Sequence, residues 1–414
     1  MTSTFKNIVA RLTPTPSSSN IHNGTGFRKA ECTQLFNVTE PEVDGEECLQ
    51  DCQSCTVKYP SKFSIDEDDK LYGHVKGWET HMVVATGKTD WVRDVADEKG
   101  SVMEAVDKSK IKPSNGRLML SASNIPLPHE SNNSCPHPSL PTPTSVLLLP
   151  SFRIIDNVIP SLVPDLIRDY INTGPTNTSR LPHPSTPFPS VVSPTADSAP
   201  MESLSVQLGA DLSISSTQNQ NQNQNQDQDP SHPLQKTSSI PSTIPLPLLS
   251  RPCPHPYLIL LCSQKTRDAR CGQSAPLLRR ELERHLRPLG LYRDLNDERP
   301  GGVGIYFISH VGGHKYSANV IVYRRGDVCG VREEMGEREK GGGGEKENGE
   351  DEGKDGEKEG EEASTEAGQC IWLARVRPED CENIVRFTVL QGKVVKPERQ
   401  LRGGFDRGRG LASW

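Results

Sequence analysis

Two cysteines nine positions apart, Cys262 and Cys271 in LCSQKTRDARCG, and two histidines four apart, His310 and His314 in HVGGH, are the side chains best placed in this sequence to do metal chemistry. Two thiolates and two imidazoles can saturate one tetrahedral zinc. They can equally hold two bridged irons, with the ligands divided between them. Zinc favours tight C-x2-4-C knuckles, and eight residues separate these cysteines, so the wide loop better suits a larger cluster. A cysteine in an apolar segment is most often a small buried hydrophobe, and a lone surface histidine usually does nothing. Two such pairs in glycine-containing loops of one segment point to a site.

The elements that must position these four residues follow from hydrophobic pattern. HPYLILL (255–261) is a continuous apolar strand that runs straight into Cys262. After Cys271, residues 275–290 carry leucines at helical spacing and end near Gly290, which predicts a helix. Both thiols then fall in one strand-to-helix loop, with Gly272 allowing a tight turn. Strands are expected at 303–309 and 319–323, with the histidine loop between them, where Gly312 and Gly313 let the backbone wrap closely while two imidazoles converge. A strand at 370–376 and a helix at 378–392 complete the order strand, helix, strand, strand, strand, helix. That order predicts an α/β (α+β) fold with a thioredoxin-like C-terminal domain.

Upstream, residues 46–172 read as a smaller α/β domain, with HMVVAT (81–86) as a buried strand, a Pro/Ser/Asn-rich loop at 124–144, and a short helix at 164–171 opened by Pro164. Residues 1–45 are expected to be disordered or a targeting segment, 173–251 a disordered linker containing NQNQNQNQ, and 333–368 an acidic insertion within the 252–414 domain.

Composition supports long unstructured pieces: 33% of the chain is hydrophobic and 5% aromatic, with Gly and Pro at 34 each. The net charge of −7 is uneven, because residues 333–366 hold 15 acids and 5 bases (net −10), leaving +3 elsewhere. No basic nucleic-acid footprint results, and no apolar run reaches the roughly 20 residues of a membrane span. A soluble protein is expected, and without a secretory leader its eleven cysteines read as reduced thiols or ligands rather than a disulfide framework. The start of the chain has Lys6 and Arg11, several Ser and Thr, no acid before Glu31, and Phe5, Ile8, Val9 and Leu12 at helical spacing. This suits a mitochondrial presequence, with the cytoplasm as the alternative compartment.

LCSQKTRDARCG followed by HVGGHKYSANVIVY resembles the sucrase/ferredoxin-like family, and GHVKGWETHMVVATGKTDWVRDVADEKGSV (73–102) is similar to its fungal members. The resemblance covers about 48–123, 145–172 and 255–414. It implies a C-terminal half like thioredoxin-like [2Fe-2S] ferredoxins, with Cys262 and Cys271 binding one iron and His310 and His314 the other. Neutral imidazoles in place of anionic thiolates raise the potential of such a centre, and their second ring nitrogens can couple electron transfer to pH. The implied function is one-electron transfer between an electron-donor reductase and an acceptor, with no catalytic residues. The alternatives are a zinc-stabilised interaction module, or a thiol oxidoreductase using Cys52 and Cys55 of CLQDCQSC, which also holds Cys48. Nothing in the sequence places an acid and a nucleophile for sucrose chemistry. The basic tail 401–414 reads as a flexible end whose Trp414 anchors a partner. It resembles the terminal peptide by which iron-sulfur clients meet their assembly machinery, with Ala412 where a larger aliphatic residue is expected. Cys253, Cys329, Cys370 and Cys381 have no partners at ligand spacing and read as packing.

Overall fold

Fully buried strands dictate the architecture, because a strand apolar on both faces must lie inside a sheet covered on both sides. In the computed structural model, which describes residues 26–128, 142–182, 246–329 and 364–414, β3 (Thr80–Ala85) and β5 (Thr144–Leu149) are buried at every position, and β8 (Tyr257–Cys262) at every position after its first. They belong to a mixed sheet of twelve strands. In chain order the others are β1 (Arg28–Lys29), β4 (Leu118–Ser123), β6 (Arg153–Val158), β7 (Leu249–Pro252), β9 (Val303–Ile308), β10 (Val320–Arg325), β11 (Ala367–Leu373), β13 (Leu401–Asp406) and β14 (Leu411–Ala412). The spatial order is β1-β14-β13-β11-β10-β8-β9-β4-β3-β5-β6-β7. A separate pair joins β2 (Asn37–Val38) to β12 (Lys393–Val394). The fold is α/β.

The sheet repeats one plan twice. In the C-terminal half the order β9-β8-β10-β11 puts β8 and β9 parallel, β10 antiparallel to β8, and β11 antiparallel to β10. The order β4-β3-β5-β6 in the N-terminal half has the same senses. The halves meet where β4 pairs antiparallel with β9 through Ser123 and Ile308, reinforced by Asn124 N–H to Phe307 O (3.2 Å) and Ser309 N–H to Ala122 O (2.9 Å). Segments 46–172 and 252–414, expected as separate domains, thus contribute to one continuous sheet.

Alternation along each strand sorts its side chains between two cores. Ile259 and Leu261 lie in the core that also holds the apolar faces of the helices α2 (Val102–Lys108), α3 (Val163–Leu166) and α4 (Ala269–Leu286), whereas Leu258 and Leu260 lie in the core with Trp78, Trp372 and Phe405. A further helical segment at 378–389 packs on the α4 side. The first helix, α1 (Pro41–Asp44), is a single turn.

Several expectations change. Leu35 and Phe36 are buried, so order begins before residue 46. Residues 173–182 also pack, with buried Asn177 donating to Trp78 O (2.8 Å), and Leu249–Pro252 forms an edge strand. Strand β11 starts at Ala367, inside the expected insertion. The tail is not a flexible end: β13 and β14 hold it in the sheet, and half-buried Trp414 stacks on Trp78 with ring centroids 4.5 Å apart. Its burial follows from β13 being the neighbour of β11, which carries Trp414 across the Trp78 face. The presequence reading at 1–25, the NQ repeat and most of the acidic run lie outside the described residues. No helix among the described residues is long and apolar enough to cross a membrane.

Candidate metal centre

Cys262 is the last residue of β8, where its backbone N–H is tied to Asn319 O (3.2 Å). Helix α4 begins earlier than the leucine pattern implied. Asp268 is its N-cap and accepts the Arg270 N–H at 2.9 Å, a role aspartate fills because it satisfies a free helical donor. Cys271 therefore lies in the first helical turn rather than in a loop. Gly272 serves close approach instead of a turn: a Cβ there would come within 2.6 Å of Lys265 Cβ, so only glycine lets the 263–268 loop fold back on α4.

This brings the two sulfurs to 3.4 Å, and Cys262 Sγ lies 3.8 Å from His310 Nδ1. The ligand atoms of Cys262, Cys271 and His310 all fall within 4.8 Å of one another. His314 is outside that trio but adjacent, its ring centroid 5.4 Å from that of His310. Depth is graded: both cysteines are 2% exposed or less, His310 is half-buried and His314 is exposed.

The sulfur pair has one easy ionisation. Hydrogen bonding from Cys262 is the main cause that brings the Cys271 thiol down to about 5, opposed by burial and helped by His310 and Ser317. The same bond, with burial, holds Cys262 well above its ordinary value. A helix N-terminus beside Cys271 acts in the same direction on its thiolate.

Donor chemistry and spacing fit a metal centre. Two thiolates about 2.3 Å from one tetrahedral ion stand roughly 3.8 Å apart, close to the separation of the Cys262 and Cys271 sulfurs. No lysine or arginine among the described residues is hydrogen-bonded to either sulfur. The trio lies within ligand reach of a metal, and His314 stands beside it as a further donor.

Residues that sequence reasoning missed hold this arrangement. Gln264, 1% exposed, accepts the His310 N–H (2.8 Å) and donates to Val92 O (2.5 Å), tying both ligand loops to a segment of the N-terminal half. Asp90 accepts the Thr266 backbone N–H and hydroxyl at 3.0 and 2.8 Å. Arg402 donates to Gly312 O and to Asn319 Oδ1, both at 2.9 Å, and lies over the Trp372 ring at 4.4 Å. Burial pulls its guanidinium down to about 10. Gly313 has φ +64°, and a Cβ there would strike Arg402 at 2.5 Å. None of these pairings has a local signal, since each joins residues far apart in sequence. Arg402→Lys keeps the charge but loses the planar fork, and should cost about 1 kcal/mol in urea unfolding, with weaker metal retention. Wild-type values for both would remove Arg402 as the latch of the histidine loop.

Cys52 and Cys55 form no part of this group; they sit by the other end of α4, where Cys52 is near His285. Cys48 packs with Phe387 and Val395. Burial pushes Cys253 and Cys329 up to about 11 and raises Cys370 and Cys381, as suits inert packing thiols.

Among known proteins, the chain is 51% identical over 67 residues to "Actin patches distal protein 1" of Saccharomyces cerevisiae, covering 16% of this chain and 21% of that protein. It is 27% identical over 167 residues to "Altered inheritance of mitochondria protein 32" of Clavispora lusitaniae, covering 40% and 42% respectively. The protein of the same name from Debaryomyces hansenii is 29% identical over 139 residues, covering 34% and 33%. The matches thus span less than half the length of each of these relatives. No solved structure matches the chain. The sucrase/ferredoxin-like family model matches residues 71–403, a span that contains β8, α4, the histidine loop and all four candidate ligands, and the chain belongs to that family.

Proposed function

We propose that the chain is an electron-transfer protein that holds a [2Fe-2S] centre through Cys262, Cys271, His310 and His314. The observation that carries this reading is the buried Cys262–Cys271 sulfur pair with His310 beside it and His314 at the surface. When bound, such a centre supplies reversible one-electron chemistry. The rest is the work of the chain. Cys262 and Cys271 provide negative charge inside the fold, and their burial excludes water from the sulfurs. His314, exposed, and His310, half-buried, lie on the side from which a partner approaches. Arg402 and Gln264 fix the backbone of the histidine loop.

The strand order β9-β8-β10-β11, with the third strand in sequence antiparallel to the rest, supports a thioredoxin-like reading of the C-terminal half. Beside His310 lies a cavity of about 410 Å³ lined by Lys76, Arg117, Trp372 and Arg402. Its basic lining suits an acidic surface on a redox partner, either donor or acceptor. Recognition of Trp414 by iron-sulfur assembly proteins requires that it leave its seat on Trp78. The relatives named for mitochondrial inheritance favour a mitochondrial setting, and the relative named for actin patches keeps the cytoplasm as the alternative.

A zinc-stabilised module is the second reading, because the Cys262, Cys271 and His310 trio alone suits one zinc. Anaerobic purification with iron, sulfide and zinc analysis separates the two. The proposal expects a coloured protein with equal iron and sulfide and a paramagnetic resonance signal on reduction. A colourless protein carrying zinc at this site would overturn it.

A further inference from the structure

The C-terminal end of α4 gathers a second set of metal-binding side chains that the proposed electron-transfer role does not use. Cys52 and Cys55 form a C-x2-C turn closed by Cys55 N–H to Cys52 O at 3.2 Å. Cys52 Sγ lies 3.8 Å from His285 Nε2, and the ligand atoms of Cys52, His285 and Glu382 are all within 4.8 Å of one another. At 1.5 Å per residue along α4, fourteen residues separate this cluster from Cys271 by roughly 21 Å. The sites are therefore distinct.

The state of each donor suits ligation. His285 Nε2 accepts a hydrogen bond from Arg284 at 2.9 Å, so the ring proton is on Nδ1, and the nitrogen that would ligate is the one 3.8 Å from Cys52 Sγ. Burial and the Arg284 charge lower the His285 pKa, which keeps the imidazole neutral. Both thiols are free, and Cys52 is buried. Glu281, 2% exposed, adds a second carboxylate, its Oε2 3.9 Å from His285 Nε2.

One cation already stands among these groups. The Arg284 guanidinium bonds Cys52 Sγ (3.4 Å), Glu281 Oε2 (2.9 Å) and His285 Nε2. Its side chain is 40% exposed, so it can turn out to solvent while the anionic donors stay. Zinc favours this chemistry: a tight C-x2-C turn, one imidazole and one carboxylate from separate elements. The Cys262–Cys271 spacing lacks that knuckle.

We propose that Cys52, Cys55, His285 and Glu382 form a second, mononuclear zinc site. It clamps the 46–58 segment and the 378–389 helix to the end of α4, the helix whose other end carries Cys271. Binding exchanges Arg284 and two thiol protons for the metal, with both protons released to solvent and no change of oxidation state.

The test uses the full chain, purified under reducing conditions without chelator, with zinc itself and cobalt(II) as probes. One zinc per chain is expected in addition to any iron, and cobalt should give thiolate-to-metal charge-transfer bands and tetrahedral ligand-field bands. Cys52→Ser, Cys55→Ser and His285→Ala should lose zinc while iron and the visible spectrum persist, and His285→Cys should restore it. Arg284→Ala should keep the metal, whereas a merely structural polar cluster would be weakened by that change. The site is overturned if wild-type protein takes up no zinc or cobalt here, if the three ligand variants retain full zinc, or if the cobalt bands vanish with Cys262→Ser but survive Cys52→Ser. A Cys52–Cys55 disulfide that persists with zinc and reductant present would also overturn it. Cobalt spectroscopy of the wild type keeps the proposal decidable should a variant fail to fold.

Discussion

Cys262→Ser and Cys271→Ser are each expected to remove essentially all of the iron that the proposed centre holds, with its visible absorption, while leaving a folded chain. Serine is nearly isosteric with cysteine, so neither substitution opens a cavity at sites 2% and 1% exposed. What changes is the ligand. The hydrogen bond from Cys262 holds the Cys271 thiol well below its ordinary value and so favours a thiolate, whereas an alcohol stays protonated through the physiological range and offers iron no soft anion. A buried hydroxyl costs stability, but Ser317 Oγ, 3.6 Å from the Cys271 sulfur, gives a hydroxyl at 271 a partner. The expected loss in unfolding free energy is thus about 1–3 kcal/mol, against a near-total loss of metal. Cys370→Ser and Cys381→Ser are the controls: equally buried, away from the trio, and expected to keep the chromophore. Circular dichroism verifies folding, and iron analysis reads the outcome. An undiminished visible spectrum in either ligand variant would take that cysteine out of the set.

Much of what surrounds these cysteines is written locally. Leu258 to Leu261 had to be a central strand, and two glycines between two histidines had to be a turn, because apolar runs and positive-φ positions leave few other choices. The start of α4 was also legible in Asp268, an ordinary capping residue, but the leucine spacing further on drew the boundary too late. What could not be read is whatever depends on distant strands meeting. The edge-to-edge pairing of β4 with β9 uses backbone groups, which every sequence possesses. Arg402, Gln264, His285 and Glu382 acquire meaning only from partners more than forty residues away.

The repeated strand plan sharpens the point. Ala85 ends β3 where Cys262 ends β8, so the N-terminal half has the same frame without that thiol. Its loop instead supplies Thr89, Asp90 and Val92 as partners for the loop that follows Cys262. One half bears the candidate ligands, and the other buttresses them.

That junction also predicts an acid-sensitive fold, through His81. This residue of β3 is fully buried, with Nδ1 3.0 Å from the Tyr323 hydroxyl on β10 and Nε2 2.9 Å from the Ser121 hydroxyl on β4. A neutral imidazole has one donor and one acceptor, and two hydroxyls satisfy both whichever tautomer forms. Protonation would leave a buried cation with no acid beside it, so burial drives the pKa down to about 3. In the unfolded chain the same group titrates near 6.5. Between those values the unfolded state binds the extra proton, so stability is full above about pH 6.5 and falls as the pH drops towards 3. For this one group the loss between pH 7 and pH 5 is about 2 kcal/mol. His255 and His285, also lowered by burial, add slopes of the same sign, so the diagnostic quantity is a difference between proteins. His81→Gln retains a donor and an acceptor but cannot titrate. Its urea-unfolding free energy should start below wild type at pH 7 and decline less steeply to pH 5. Parallel curves over that range would show that His81 does not set the acid limit of the fold.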